Sequence, residues 1–187
     1  MRLFIVRHGK ATDAQCCGSS CCASEAPQST DFSRELTARG HAQARFLASK
    51  LSQGERKVKN IIASRFPRAL QTAHALQRPL ACDLATDVRL EVDHEVSEVL
   101  EVIQEHSEER NLMLVGHNPQ LGELISVLCS GLAPQELILK TGEMVVIDIR
   151  PAQPIGSGKL VDRLRLCDSI ADDTVLGTVE SLGSKLS

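Results

Sequence analysis

Leu3-Phe4-Ile5-Val6-Arg7-His8-Gly9 and Leu112-Met113-Leu114-Val115-Gly116-His117-Asn118 decide the fold. Each is a short continuous apolar run that ends in a histidine. Such runs read as strands buried on both faces of a parallel sheet, and an open α/β sheet binds ligands at the carboxyl ends of its strands. The pattern therefore predicts that His8 and His117 meet at one rim. Working outward, Asn60-Ile61-Ile62-Ala63 reads as another strand, and Met144 to Ile149 and Leu160 to Leu166 as closing strands around a Gly/Pro/Ser loop at 151–158.

The helices follow from apolar spacing. Thr37 is the expected N-cap of a helix with the stripe Ala44, Leu47 and Leu51, in which Gly40 is a mild penalty. Ser64-Arg65-Phe66-Pro67 turns into a second helix, with Pro67 in its first turn and Arg68 near its N-terminus. Val96, Val99, Leu100 and Ile103 mark a third, and Leu121, Leu124, Ile125 and Leu128 a fourth. Asn118 is the expected N-cap of the fourth, with Pro119 at its first helical position. The class expected is α/β, a three-layer arrangement with a mostly parallel central sheet flanked by helices.

The chain has 187 residues, 42% hydrophobic and 24% charged, which suits one globular domain over 1–187. The absence of Trp and Tyr and the net charge of −3 argue against nucleic acid as a partner. No stretch reads as a secretory signal or a membrane span, so a cytoplasmic protein is expected. Seven cysteines, an odd count, read as free thiols rather than a disulfide framework. Cys129 and Cys167 behave as small apolar residues, and Cys82 carries no signal. Cys16, Cys17, Cys21 and Cys22 fall in a Gly/Ser/Ala-rich stretch at about 11–33, read as a loop insertion, with a soft-metal clip as the competing reading. Residues from about 168 to 187 have no pattern that assigns them an element, and no internal repeat is visible.

A histidine at a strand end, preceded by arginine and followed by glycine, suits attack on a phosphoryl group. The imidazole supplies a nitrogen nucleophile, the guanidinium holds oxygens in a bidentate fork, and Gly9 lets the backbone come close. Charge spread over three oxygens needs further donors, for which Arg68 and His117 are the candidates beside helix N-termini. No metal or cofactor is required. His41, His74, His94 and His106 read as surface or partly buried positions without placed partners.

In order and placement these segments resemble the histidine phosphatase superfamily: Arg7-His8-Gly9 after the first strand, Ser64-Arg65-Phe66-Pro67-Arg68-Ala69-Leu70-Gln71-Thr72-Ala73, and Gly116-His117 after a hydrophobic strand. Leu36-Thr37-Ala38-Arg39-Gly40-His41-Ala42-Gln43-Ala44 matches a further helix-opening pattern. The resemblance spans residues 1 to about 150 and is strongest to SixA-type phosphohistidine phosphatases. It implies a phosphoglycerate-mutase-like fold, His8 as nucleophile through a phosphohistidine intermediate, and Arg7, Gly9, Arg68 and His117 as the phosphate pocket. It also implies a phosphohistidine-bearing protein as substrate. Arg65 stands where many relatives have proline and is expected to point to solvent. Glu91, Asp93 and Glu95 are the candidates for a general acid, read more simply as a solvated turn and a helix start. A phosphohistidine substrate, whose leaving imidazole needs little help, fits that shortage of an acid. The competing readings are a small-molecule phosphomonoesterase or mutase, and a non-catalytic phospholigand-binding module. Oligomeric state is not legible.

Overall fold

In the computed structural model, residues 1–13, 31–53, 57–131 and 137–166 are described. The four-cysteine stretch, Cys167 and the C-terminal tail lie outside them. The sheet has six strands: β1 (Arg2–Arg7), β2 (Asn60–Ala63), β3 (Asp83–Thr86), β4 (Asn111–Gly116), β5 (Glu143–Asp148) and β6 (Lys159–Arg165). Their spatial order is β3-β2-β4-β1-β5-β6. The pairs β3/β2, β2/β4 and β4/β1 are parallel, while β1/β5 and β5/β6 are antiparallel.

Strand alternation explains the three layers. Leu3 and Ile5 of β1, with Leu112 and Leu114 of β4, face one way, against α3 (Val96–Glu105) and α4 (Gln120–Ser130). Phe4, Val6, Met113 and Val115 face the other way, against α1 (Ala38–Ser52) and α2 (Pro67–Leu80). Because both faces of β1 and β4 are covered, their runs are continuous rather than alternating, as expected from sequence.

Thr37 caps α1 through its side chain, which accepts from Gly40 N, and Pro67 opens α2. Asn118 differs from expectation. Its Nδ2 donates to Leu139 O at 2.8 Å, and α4 begins one residue after Pro119, with no side-chain cap. Gly40 is likewise more than a penalty. A Cβ there would stand 2.2 Å from Lys10 O, and one on Gly9 would stand 2.6 Å from Gly40 O, so both glycines permit α1 to dock on the chain leaving β1. The edge strand β3 escaped the sequence reading because Asp83 and Thr86 are exposed and interrupt any apolar pattern. Cys82 and Cys129 are partly buried against the two cores, and burial raises both thiol pKa values above the ordinary one. No helix among the described residues is long and apolar enough to cross a membrane.

Candidate active site

Parallel pairing aligns the ends of β1 and β4: Val6 lies opposite Val115 and Arg7 opposite Gly116. The next residue of each strand is His8 and His117, whose ring centroids are 5.0 Å apart. Residues Ser64 to Arg68 follow β2, which is parallel to β4, so they emerge at the same edge. β5 runs the opposite way, and its start brings Lys140 and Thr141 to that edge as well. Arg7, His8, Arg68 and His117 all line one cavity of about 630 Å³.

His8 is 6% exposed and held by its backbone on both sides. Its N–H donates to Gly116 O at 3.1 Å, and its carbonyl accepts from Gly142 N at 2.9 Å. Its Nδ1 lies 2.7 Å from Gly9 O, a contact that requires the proton on Nδ1 and leaves the Nε2 lone pair free. Burial, with Arg68, Arg7 and Arg34 adding repulsion, pushes the imidazole pKa down to about 4 against the opposing bond to Gly9. At neutral pH the ring is an unprotonated nitrogen base.

His117 is 2% exposed, with Nε2 2.8 Å from Ser64 Oγ. Ser64 Oγ accepts from Phe66 N–H at 3.3 Å, so its own proton is available to His117 Nε2. That assignment puts the imidazole proton on Nδ1, which is buried with no partner among the described residues. Burial first, then His8 and Arg68, lower this pKa to about 2. Ser64 opens a segment quoted in the sequence reading but had no role there. A buried serine before a helix start is the signal that could have given it one.

Arg7 Nη1 donates to Leu139 O at 2.5 Å, the same carbonyl that receives Asn118. Arg68 is 3% exposed, lies 4.6 Å over the Phe66 ring, and is bonded to Asp31 through both Nη atoms. The Nε atoms of Arg7 and Arg68 are buried without partners among the described residues. Buried donors left open at one place are what an anion would satisfy. Burial also lowers the pKa of both guanidinium groups, which depresses their charge only slightly from a value far above neutrality. Gly9 does not line the cavity; its N–H donates to Thr72 Oγ1 at 3.1 Å, and its missing side chain serves the contact with Gly40.

None of Glu91, Asp93 and Glu95 lines the cavity. Glu91 accepts from Arg65 Nε at 2.6 Å, which also answers where Arg65 points: outward, onto that acid. Glu95 forms the capping box of α3 with Glu98, and Asp93 is exposed. His94 and His106 do have partners, Glu98 and Glu109, three or four residues further on a helical turn. Among the cavity residues that sequence reasoning gave no site role are Asp31 and Arg34, which sit at the edge of a stretch without periodicity. Among the described residues no cluster of His, Cys, Asp and Glu could hold a metal ion.

Comparison with known proteins bears on the fold that carries these residues. The family model of the histidine phosphatase superfamily (branch 1) matches residues 3–94, which carry Arg7, His8 and Arg68. No curated protein matches the chain. Among solved structures, the protein histidine phosphatase SixA complexed with tungstate superposes with a TM-score of 0.69 at 24% identity, covering 88% of this chain and 97% of its own. The mycobacterial glucosyl-3-phosphoglycerate phosphatase gives 0.66 at 17% identity, with 86% and 96% covered. The alpha-ribazole phosphatase from Shigella flexneri gives 0.64 at 19%, with 86% and 96% covered. These likenesses establish the shared fold, a mixed sheet between helical layers. The family model thus matches the segment that carries β1, β2 and α2, a likeness to the histidine phosphatase superfamily over just under half of the chain.

Proposed function

We propose that the chain is a metal-independent phosphohistidine phosphatase acting on a phosphoprotein through a covalent intermediate on His8. The observation that carries this reading is the pairing of a buried, neutral imidazole, whose Nε2 lone pair is free, with two arginines that keep buried N–H donors open. His8 Nε2 attacks phosphorus in line, the bond from phosphorus to the substrate nitrogen breaks, and the leaving imidazole keeps or takes up one proton. Arg7, Arg68 and His117 Nδ1–H neutralise the charge on the transferring oxygens. Water then attacks the phosphoenzyme and loses a proton, the bond between His8 and phosphorus breaks, and phosphate leaves with His8 restored. The likeness to SixA, named as a protein histidine phosphatase, supports the substrate class, as does the position of Glu91, Asp93 and Glu95 away from the cavity.

A small-molecule phosphomonoesterase is the second reading, favoured by the likeness to two phosphatases of small phosphate esters. It needs a proton donor for an alkoxide, and Asp13, which is exposed, is the lining carboxylate not tied to an arginine among the described residues. Turnover of a phosphohistidine-bearing protein and of an alkyl phosphate, each with wild type and Asp13→Asn, separates the two. The first reading expects kcat/KM at least about tenfold higher on the phosphohistidine protein and no effect of Asp13→Asn. Preference for the ester, lost in Asp13→Asn, would overturn it in favour of the second. Phosphate binding without turnover of either would leave a binding module.

A further inference from the structure

The turn at Asp31–Arg34 lies outside the four-residue constellation, yet it supplies the partners of Arg68. Arg68 donates from Nη1 to the Asp31 main-chain oxygen at 2.6 Å and from Nη2 to Asp31 Oδ2 at 2.8 Å. Oδ1 of the same carboxylate accepts from Arg34 Nη1 at 2.8 Å. The turn is tied down independently of that carboxylate. Arg34 Nε donates to Thr12 O at 2.5 Å, and Phe32 packs against Phe66 at 4.9 Å between ring centroids, with the rings tilted by 60°. Phe66 in turn lies under Arg68 and edge-on to His117 at 5.0 Å. Asp31 is therefore seated by two contacts of its own turn, onto the chain after β1 and onto Phe66 before α2, where the site is built.

A guanidinium has five N–H donors in a rigid fork. Asp31 takes one N–H of Nη1 and one of Nη2, and among the remaining donors Nε is buried without a partner among the described residues, open to a ligand oxygen. Arg34 lines the cavity too, close enough to repel charge on both His8 and Arg68. Two guanidinium groups that repel each other would splay apart without an anion between them. We infer that Asp31 is a positioning residue: its carboxylate bridges Arg68 and Arg34, holding both beside His8 while the open Nε edge of Arg68 receives the substrate phosphoryl group.

This inference rests on the phosphate-handling reading above, and its test has a sign that a bystander carboxylate would reverse. Removing an anion from a site that binds an anion should tighten phosphate by simple electrostatics. Loss of a positioning group should weaken it. Inorganic phosphate binding is measured by calorimetry on wild type, Asp31→Asn and Asp31→Glu, beside kcat and KM and a thermal melt. Asp31→Asn is expected to bind phosphate about tenfold more weakly, as for loss of one charge-assisted hydrogen bond. Asp31→Glu, with charge kept but displaced by one methylene, should also weaken binding, and in both variants KM should move more than kcat. Unchanged or tighter binding in Asp31→Asn, or full retention in Asp31→Glu, overturns the inference while the functional reading stands. No phosphate binding by wild type overturns both. A lowered melting temperature alone, with affinity retained, marks a merely structural contact and overturns the inference as well.

Discussion

The strand-end rim and the acidic turn at 91–95 are both polar, both follow short elements, and both were read from sequence as candidates for chemistry. Their side chains are spent differently. In the turn, Glu91 is taken by Arg65, Glu95 by the start of α3, and Gln120 Nε2 pins the backbone by donating to Arg89 O and His94 O at 2.8 Å each. At the rim, Arg7, Arg68 and His117 are each held by neighbours and keep a further nitrogen buried without a partner among the described residues, while His8 is held at Nδ1 and keeps Nε2 open. The difference teaches that charge and position near a strand end do not identify a reacting group. What sets the rim apart is that three such unanswered nitrogens, Arg7 Nε, Arg68 Nε and His117 Nδ1, belong to residues that line one cavity beside His8, whereas the unanswered Gln120 Oε1 by the turn belongs to a residue outside that cavity.

Four predictions bear on that contrast, the largest first. His8→Asn should lower turnover by about 10³-fold or more, since no second nitrogen nucleophile is placed to replace it. Steady-state kinetics on a phosphohistidine protein checks this, and a loss below about tenfold would place His8 with the ordinary polar residues of the turn.

The pH profile is the next. His8 must be neutral to attack, and its pKa is pushed down to about 4. After allowance for the substrate's own titration, kcat/KM should fall about tenfold per pH unit below about 4 and show no limb near the ordinary histidine value of 6.5. A limb at 6.5 would mean that the imidazole is solvated like any surface histidine.

Stability carries the same signature. Between about 4 and the ordinary 6.5, folded His8 binds fewer protons than unfolded His8, and His117, lowered to about 2, behaves alike. Unfolding therefore takes up protons in that window, and stability should decline as pH falls from 6.5 toward 4. Thermal melts of wild type should drop faster over this interval than those of His8→Asn. Parallel curves would contradict the buried, neutral state.

The smallest effects belong to the turn. Glu91→Gln should change kcat/KM by less than about threefold, because its ion pair with the exposed Arg65 is worth about 0–1 kcal/mol and lies outside the cavity, and so should Asp93→Asn, because Asp93 is exposed and also lies outside the cavity. Glu95→Ala should cost about 1 kcal/mol of stability in a denaturant melt, through its cap on α3, with turnover retained. A hundredfold loss of turnover in any one of them would erase the distinction between the two regions.

The sheet core was legible because β1, β4 and β5 are buried on both faces and their apolar runs are unbroken. So was the rim, because parallel pairing forces strand ends of like direction to one edge. β3 was not legible: an edge strand with exposed Asp83 and Thr86 carries no periodicity. Gly40 was misjudged because propensity counts only its own helix, whereas its contact is with Lys10, thirty residues earlier in the chain. Asp31, Arg34 and Ser64 were missed as site residues for a related reason. Asp31 acts through Arg68 and Ser64 through His117, partners distant in sequence that no spacing rule links, and Arg34 joins the site through Asp31. The groups proposed to touch substrate follow strand ends and can be read; those that hold them in place depend on tertiary contacts.

The central claim is that His8 Nε2 takes the phosphoryl group, and the most direct test is intact mass after brief mixing with phosphoramidate, wild type beside His8→Ala. The account predicts an acid-labile adduct of one phosphoryl group on wild type and none on the variant. An equal adduct on both proteins, or turnover by wild type with no adduct at any mixing time, would contradict it.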